Sequence, residues 1–192
     1  MIGILLAAGS SLRFGKTNKL LHLLPNGASI GVTSATNLID VLPVSIAVVQ
    51  PDSQKLAEQL ELAGLQVVTC TNEQGMAYSL AAATKYAAKL PEFSGGFIIA
   101  LADMPFIRPA SIKMVAKKLS QENHSIVLPT YQGSRGHPVG FVAKFRSELE
   151  KLQGDEGARS VVKSHQDEVH TFECDDPGIL MDIDTQEDLA GI

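Results

Sequence analysis

A glycine- and serine-rich loop that follows the first apolar run is the first stretch of the chain that could do chemistry. Gly9–Ser11 comes directly after Ile2–Ala7, and small residues at such a place let backbone N–H groups approach a polyphosphate closely. Arg13 and one of Lys16 or Lys19 would add positive charge, the Arg as a fork of donors and the Lys as a point charge. The loop therefore predicts a phosphate site. A strand-to-helix turn that carries solvated basic residues is the alternative.

Neither of the two common phosphate-loop patterns fits this stretch. The glycines at 9 and 15 give neither G-x-x-x-x-G-K-[ST] nor G-x-G-x-x-G. We therefore do not expect a P-loop nucleotide hydrolase or a dinucleotide-dependent oxidoreductase.

A carboxylate, Asp103, ends the apolar run Phe97–Ala102. Mg²⁺ bound to phosphates takes one or two protein carboxylates and keeps several waters, so an acid at the end of a buried strand suits one ligand position. The alternative is structural, because Asp103 could instead cap a helix that begins near Pro109.

A second acidic stretch, Asp182–Asp188, lies close to the C-terminus. Its structural interpretation is a final helix capped by Asp184 or Thr185, with acidic residues in its first turn. That interpretation is compatible with a metal site. We expect one of Asp182 and Asp184 to face the metal.

Two further stretches combine glycine with polar side chains. Gly75 and Ser79 open an Ala-rich helix, where exposed N–H groups suit the polar edges of a nucleotide or an anion; a simple helix entry capped by Gly75 is the alternative. The run Arg135–Pro138 sets an Arg and a His beside glycine. A single His in a loop is usually only hydrogen-bonded, so this run alone indicates little.

The elements that must position these residues alternate between short apolar strands and helices. Strands are predicted over 2–7, 44–49, 65–69, 97–101, 125–130, 139–143 and 169–172, and helices over 29–41, from 52 or 53 to 64, and over 76–89, 109–119, a stretch after 144, and 158–164. Unbroken apolar strands in this alternation predict a mainly parallel sheet covered by helices on both faces. Ligands of such sheets bind beyond the carboxyl ends of the strands, where the residues above stand.

Length and composition fit one globular domain, residues 1–192. Hydrophobic residues make up 45% of the chain and charged residues 19%, and the apolar runs are too short to span a bilayer. The formal net charge of −5 argues against a broad nucleic-acid-binding surface. Cys70 and Cys174 have no metal or redox spacing, so we expect ordinary thiols in a cytoplasmic protein.

The run Leu5–Gly15, followed by Asn18–Leu21, resembles the signature loop of the nucleotidyltransferases that build nucleotide-sugars and molybdenum-cofactor dinucleotides. In particular it is similar to the molybdopterin cytidylyltransferase and guanylyltransferase group, the MobA/MocA-like proteins. Further matching stretches follow in the family's order at 75–80, 99–106, 135–139, 154–159 and 182–189. The resemblance implies a three-layer α/β/α, Rossmann-like nucleotide-diphospho-sugar transferase fold with a mainly parallel sheet.

The resemblance also implies a role for each matching residue. It makes Arg13, Lys19 and Asp103 catalytic. It assigns the nucleotide to Leu6, Ala7, Ala8, Gly9, Ser10, Ser11, Gly15, Gly75 and Ser79, and the acceptor to Arg135, Gly136, His137 and Pro138. It assigns Mg²⁺ to Asp103 and Asp184, or to Asp182 in place of Asp184. Lys19 is favoured over Lys16 because Leu20-Leu21 follows it, although the gap from Arg13 is one residue longer than in many members.

The implied activity is Mg²⁺-dependent transfer of a nucleoside monophosphate from a triphosphate, CTP or GTP favoured, to a phosphorylated acceptor, with release of pyrophosphate. Arg135–Pro138 and Gly154–Arg159 favour molybdopterin as acceptor, and a molybdoenzyme or its chaperone is then an expected partner. A sugar- or polyol-phosphate nucleotidyltransferase is one alternative. A non-catalytic nucleotide-binding relative is another, and the intact charges of Arg13, Lys19 and Asp103 speak against it.

Overall fold

The computed structural model describes residues 1–9, 14, 18–70, 75–91, 93, 95–120, 124–154 and 156–189. The strands in this part of the chain are β1 (Ile2–Leu6), β2 (Ser45–Val49), β3 (Gln66–Thr69), β4 (Phe97–Leu101), β5 (Ile126–Tyr131), β6 (Ser134–Arg135), β7 (Val139–Phe141) and β8 (Val169–Glu173). The α-helices are α1 (Ile30–Ile39), α2 (Gln54–Leu62), α3 (Met76–Ala87), α4 (Pro109–Ser120), α5 (Arg146–Leu149) and α6 (Arg159–Ser164). Short 3₁₀ turns lie at Lys19–Leu21, Ala143–Phe145, Gln166–Glu168, Pro177–Leu180 and Glu187–Leu189.

The strands form one sheet in the order β3-β2-β1-β4-β7-β5-β6, and β8 pairs with the free side of β5. The four strands from β3 to β4 are parallel to one another. Every residue of β1 and β2 is buried, as expected for strands covered on both faces. Alternate residues of β1 serve the two faces: Leu5 packs into one apolar cluster and Ile4 into the other.

The helices divide between the two faces according to these clusters. Buried residues of α1, α2 and α4 share the cluster of Leu5, whereas those of α3, α5 and α6 share the cluster of Ile4. The result is a three-layer α/β/α arrangement with a mostly parallel sheet, which confirms the predicted fold class. No helix among the described residues is long and apolar enough to cross a membrane.

The far half of the sheet departs from simple βα alternation. β7 runs antiparallel to both β4 and β5, although it follows β5 and β6 in the chain. β5 and β6 form a tight hairpin, with Gln132 at φ 48° and Gly133 at φ 77° in its turn. The sequence predicted the strand that becomes β7 but not its direction.

β1 lies between β2 and β4 in the sheet. The chain goes from β1 to β2 and β3 on one side and then crosses to β4 on the other side. Such a reversal of strand order opens a crevice beyond the carboxyl ends of the two central strands. The residues that follow β1 and β4 meet at this crevice.

Candidate active site

Lys19 lies in the 3₁₀ turn Lys19–Leu21 that follows the loop after β1. Asn18 caps this turn, since its side-chain Oδ1 accepts a hydrogen bond from the N–H of Leu20 at 3.0 Å. Leu20 is buried against α1, where a Cβ on Gly31 would stand 3.2 Å from its carbonyl oxygen. These contacts fix the backbone of Lys19 at the edge of the crevice.

Asp103 follows β4, and hydrogen bonds hold the backbone around it. The N–H of Ala102 donates to the carbonyl of Leu6 at 3.1 Å, and Ser34 Oγ donates to the carbonyl of Ala102 at 2.8 Å. The N–H of Ile183 donates to the carbonyl of Asp103 itself at 2.9 Å. The Asp103 side chain therefore projects from a rigid support beside the C-terminal segment.

The first turn of α4 is held by a carboxylate other than Asp103. Asp176 is buried, and its Oδ2 accepts hydrogen bonds from the N–H of Arg108 at 2.9 Å and from Ser111 Oγ at 2.5 Å. Asp176, which the sequence did not single out, thus takes the capping role at the helix near Pro109 that was the structural alternative for Asp103.

Asp184 reaches the site from the segment before the turn Glu187–Leu189. Asp188 Oδ2 accepts hydrogen bonds from the N–H groups of Asp184 at 2.9 Å and Thr185 at 2.7 Å, and from Thr185 Oγ1 at 3.0 Å. These donors, the N–H of Thr185 above all, lower the pKa of Asp188. The expected cap by Asp184 or Thr185 is therefore replaced by one in which Asp188 is the acceptor.

Lys19, Asp103 and Asp184 meet in one charged cluster. Lys19 Nζ lies 2.8 Å from Asp103 Oδ2 and 2.8 Å from Asp184 Oδ1. Burial by itself would lower the pKa of Lys19, but hydrogen bonds and charge attraction from both carboxylates together raise it above its ordinary value. Lys19 is consequently charged at any physiological pH.

The same cluster fits a divalent cation. Two carboxylates from distant parts of the chain already converge on a single cationic group, and oxygen ligands of this kind suit Mg²⁺ when substrate phosphates supply the rest. Asp182 is exposed and lies outside this convergence. Among the described residues, no group of three or more His, Cys, Asp or Glu side chains could hold a metal without such help.

A small cavity of about 70 Å³ opens beside the charged cluster. Its described lining residues are Leu6, Ala7, Ala8, Gly9, Lys19, Leu20, Met76, Ser79, Leu101 and Asp103. Ser79 is 2% exposed, and its Oγ has no hydrogen-bond partner within the described part of the chain. A buried hydroxyl left without a partner costs on the order of 1–3 kcal/mol, so a polar ligand atom at this place would be stabilising.

Gly75 caps α3 with φ 94°, a conformation that favours glycine. The N–H of Ala77, in the first turn of this helix, donates to the carbonyl of Gly154 at 3.1 Å, which ties α3 to the segment before α6. Gly75 therefore sets the direction of the helix that carries Met76 and Ser79 into the small cavity, but it does not line that cavity itself.

A larger cavity of about 500 Å³ adjoins the small one and shares Leu6, Met76 and Leu101 with it. Its remaining described lining residues are Leu80, Ile99, Leu128, Arg135, Gly136, His137, Val139, Glu156, Ala158, Arg159, Val162, Lys163 and Gln166. The floor is apolar and belongs to the sheet and α3. The charged residues form its rim.

His137 lines the larger cavity, and the charges of both Asp103 and Arg159 act on it. The residue is half-buried, and its Nδ1 is fully buried and has no hydrogen-bond partner among the residues described. Burial lowers the pKa of His137 to about 4, and the positive charge of Arg159 acts in the same direction while Asp103 opposes it. The imidazole is therefore neutral near pH 7.

The loop that carries His137 is held by the turn Pro177–Leu180. The N–H of His137 donates to the carbonyl of Ile179 at 2.9 Å. Gly136 packs so closely that a Cβ there would lie 2.4 Å from the same carbonyl oxygen. A side chain at position 136 would therefore displace the loop or the turn.

The structure brings together most of the described residues that the sequence singled out. Leu6, Ala7, Ala8, Gly9, Lys19, Ser79 and Asp103 line the small cavity, and Arg135, Gly136 and His137 line the large one. Pro138 is buried and Asp182 is exposed, and neither is among the described residues that line the two cavities. The predictions for Ser10, Ser11, Arg13, Gly15 and the alternative Lys16 lie outside the described residues.

Sequence reasoning missed the residues of α6 that form the rim of the large cavity. Arg159 lies in the matching stretch 154–159, but no binding role was predicted for it, nor for Lys163 or Gln166. The spacing of four residues between Arg159 and Lys163 is a signal that could have found these two, because such positions share one face of a helix; Gln166 lies beyond the helix and gives no such signal.

Comparison with known proteins gives consistent results. The model of the MobA-like NTP transferase domain matches residues 3–169. The purine catabolism protein PucB of Bacillus subtilis is 27% identical to this chain, over 98% of this chain and 93% of that protein.

Solved structures agree with this match. The crystal structure of Rv0371c from Mycobacterium tuberculosis superposes with a TM-score of 0.83 and 26% identity, covering 100% of this chain and 96% of that one. A complex of Rv0371c with manganese superposes with a TM-score of 0.76 and 21% identity, covering 99% and 96% of the two chains.

Proposed function

This chain belongs to the MobA-like NTP transferase family and is a nucleotidyltransferase; from that premise we propose that it uses Mg²⁺ to transfer a nucleoside monophosphate from CTP or GTP to a phosphorylated acceptor, molybdopterin in the first place. The observation that carries the proposal is the convergence of Lys19, Asp103 and Asp184 in one charged cluster beside the small cavity, which adjoins the larger one. The small cavity is the proposed nucleotide site and the large cavity the proposed acceptor site.

The reaction is attack by an oxygen of the acceptor phosphate on the α-phosphorus of the triphosphate. The bond to the bridging oxygen breaks, and pyrophosphate leaves with its electron pair. Such transfers need in-line positioning and charge neutralisation more than covalent help from the protein. A phosphate acceptor is already ionised near neutral pH, since its second pKa is about 6, so no general base is required.

The residues of the cluster supply the charge. Lys19, cationic and fixed by its 3₁₀ turn, is suited to phosphate oxygens, with Arg13 as a second cation from the preceding loop. Asp103 and Asp184 would hold the divalent cation, which when bound offsets negative charge on the phosphates. Ser79 Oγ, buried beside the site, would hydrogen-bond the nucleotide, with Gly75 and the run Leu6–Gly15 as further contacts.

The lining of the large cavity favours the pterin acceptor over a sugar or polyol phosphate. A polyhydroxylated body would lay its hydroxyl groups against apolar side chains such as Leu80, Ile99 and Leu128, where they would find no partners. A flat heterocycle could instead stack on that floor and use its polar edges at the rim, near Arg135, Gly136 and His137. Pro138, buried next to His137 in the chain, is the remaining proposed acceptor residue.

The setting of the reaction is part of the proposal. The proposed location is the cytoplasm, where cysteines such as Cys70 and Cys174 are kept as thiols. A molybdoenzyme or its chaperone is the proposed recipient of the product.

The test is pyrophosphate release with CTP, GTP, ATP and UTP in the presence of Mg²⁺, with and without molybdopterin. We expect release with one triphosphate, dependent on molybdopterin and decreased at least a hundredfold in Asp103→Asn, in line with the loss of other preorganised charge-stabilising groups. Asp40→Asn, an exposed Asp just after α1, is the matched control and should keep full activity.

Each part of the proposal can fail separately. Triphosphate binding without release when molybdopterin is present would contradict that acceptor and leave nucleotidyl transfer to another one. No binding of any triphosphate would contradict catalysis altogether. Manganese is a useful second metal for these assays, because Rv0371c forms a complex with it.

A further inference from the structure

Helix α6 presents one polar face to the large cavity. Arg159 and Lys163 both line it and share one side of α6, being four residues apart, and Gln166 lines it from the 3₁₀ turn that comes after the helix. Gln166 also accepts a hydrogen bond from Arg135 Nη1 at 3.2 Å. The α6 face and the β5–β6 hairpin thus meet across the mouth of the cavity.

This face is positively charged although the protein as a whole is acidic. Of the described residues that line the cavity, Arg135, Arg159 and Lys163 are cationic and Glu156 alone is anionic, whereas the chain carries a formal net charge of −5. A local excess of positive charge over an apolar floor attracts a small anionic ligand.

Glu156, the anionic residue in the described lining, is paired with one of these cations. Lys163 Nζ lies 3.0 Å from Glu156 Oε1, and both side chains are 59% exposed. Such exposed pairs contribute at most about 1 kcal/mol, so an anionic ligand could replace Glu156 as the partner of Lys163 at little cost.

We infer that Lys163 and Glu156 together select the acceptor by its charge: Lys163 binds an anionic group of the acceptor, and Glu156 competes for the same ammonium and repels that anion. The inference rests on the proposed function, in which the large cavity is the acceptor site. It assigns acceptor selection to α6, outside the charged cluster of Lys19, Asp103 and Asp184.

The two residues act in opposite directions, and this gives the inference a sharp test. Removing the charge of Lys163 should weaken the binding of an anionic acceptor, whereas removing the charge of Glu156 should strengthen that binding. A merely structural role of the pair would instead make the two substitutions act alike, because both break the same ion pair.

The experiment uses two fluorescent pterins that differ in charge at one substituent, the anionic 6-carboxypterin and the neutral 6-hydroxymethylpterin, titrated with the protein near pH 7. Lys163→Gln should decrease the affinity for 6-carboxypterin about tenfold, the size of effect expected for a hydrogen bond to a charged group. Glu156→Gln should tighten it about threefold, as expected for an exposed charge pair. The affinity of 6-hydroxymethylpterin should change by less than about twofold in both.

Lys113→Gln is the matched control, because Lys113 is an exposed Lys on α4, which covers the other face of the sheet. It makes the same change in net charge and should leave both pterins unaffected. Equal weakening of 6-carboxypterin by Lys113→Gln and Lys163→Gln would reduce the effect to net charge and overturn the inference.

Parallel titrations with a triphosphate and Mn²⁺ separate this inference from the proposed function. Unchanged 6-carboxypterin affinity in Lys163→Gln, with normal triphosphate binding, would overturn the inference and leave the proposed function standing. Failure of both pterins to bind while the triphosphate binds would overturn the inference and the pterin acceptor together. If the triphosphate does not bind but the charge effects on pterin binding are still seen, the result contradicts the proposed function and leaves the inference about Lys163 and Glu156 standing.

Discussion

Lys19 donates to Asp103 and Asp184 at the same time, and the behaviour of the site depends on how its charge is shared. An ammonium that is nearly buried and held at 2.8 Å from two carboxylates is well placed and permanently charged. The same two carboxylates come from different parts of the chain and converge on one point. Single substitutions at these positions should therefore affect the reaction.

Asp184 and Asp182 should respond differently to removal of their charge. Asp184→Asn should decrease kcat by on the order of 10²–10³-fold, because a carboxylate that faces the reacting phosphates is lost. Asp182→Asn should leave kcat within about twofold, since Asp182 is exposed and lies outside the cluster. Steady-state kinetics of pyrophosphate release compares the two variants. A larger loss in Asp182→Asn than in Asp184→Asn would contradict the assignment of the second carboxylate.

His137 should make the folded protein sensitive to mild acid. Its pKa is about 4 in the folded protein and 6.5 in an unfolded chain, so the unfolded chain binds more protons between these values. The contribution of His137 to stability is therefore complete above pH 6.5 and decreases as the pH falls toward 4, by roughly 3 kcal/mol at most.

Urea unfolding at pH 7 and at pH 4.5 measures this effect, with His137→Asn as the non-titrating comparison. The wild type should lose more free energy of unfolding between the two pH values than the variant does. Equal losses in both proteins would show that His137 is not held neutral by burial.

At the scale of elements, the site depends on segments that carry no site residue. The turn Pro177–Leu180 contacts the loop of His137 through Ile179, and it is tied to the start of α4 through Asp176. Asp176 Oδ1 accepts from the N–H of Gly178 at 3.0 Å, so a single buried carboxylate joins the turn and the helix. Loss of this carboxylate should loosen the acceptor loop from behind.

Asp176→Asn should decrease the free energy of unfolding by about 1–3 kcal/mol, because an amide cannot accept from all three donors that the carboxylate serves. Asp175→Asn is the neighbouring control: Asp175 is exposed, and only its carbonyl is used, by Arg108. It should change stability by less than about 0.5 kcal/mol. Equal effects of the two substitutions in urea unfolding would contradict the anchoring role of Asp176.

Local patterns were sufficient to predict most elements, because strands buried on both faces and helices with glycine or proline at their ends leave clear signals. Gly64, at φ 102°, ends α2 and Pro109 begins α4, as predicted. The antiparallel direction of β7 could not be predicted, since it depends on pairing with β4 and β5, which are distant in sequence. The final helix suggested by the stretch Asp182–Asp188 is instead the 3₁₀ turn Glu187–Leu189, because Asp188 folds back onto Asp184 and Thr185.

The choice between Asp182 and Asp184 is a second case that local sequence patterns cannot decide. Asp182 and Asp184 are two positions apart, and such residues share a face in a regular strand, so periodicity cannot separate them. The segment is irregular in the structure, and the hydrogen bond from Ile183 to Asp103 is what sets its orientation. The family resemblance already favoured Asp184, and the structure adds its contact with Lys19.

In the whole molecule, two apolar clusters are separated by a single sheet and share its strands. Alternate residues of β1 belong to different clusters, so neither layer of helices can unpack without exposing the other face of the same strands. The predicted single domain, residues 1–192, should therefore unfold as one unit.

Scanning calorimetry tests this prediction. One transition is expected, with the calorimetric enthalpy equal to the van't Hoff enthalpy. Two resolved transitions would contradict a single cooperative domain.

The central claim is that the cluster of Lys19, Asp103 and Asp184 catalyses nucleotidyl transfer, and the fate of the α-phosphorus tests it most directly. The measurement follows label from CTP or GTP carrying ³²P at the α or the γ position, with Mg²⁺ and molybdopterin, in the wild type and in Asp103→Asn. We predict that α-label appears in the acceptor product and γ-label in pyrophosphate, and that Asp103→Asn decreases both at least a hundredfold. Transfer of γ-label to the acceptor, or full transfer by Asp103→Asn, would contradict the account.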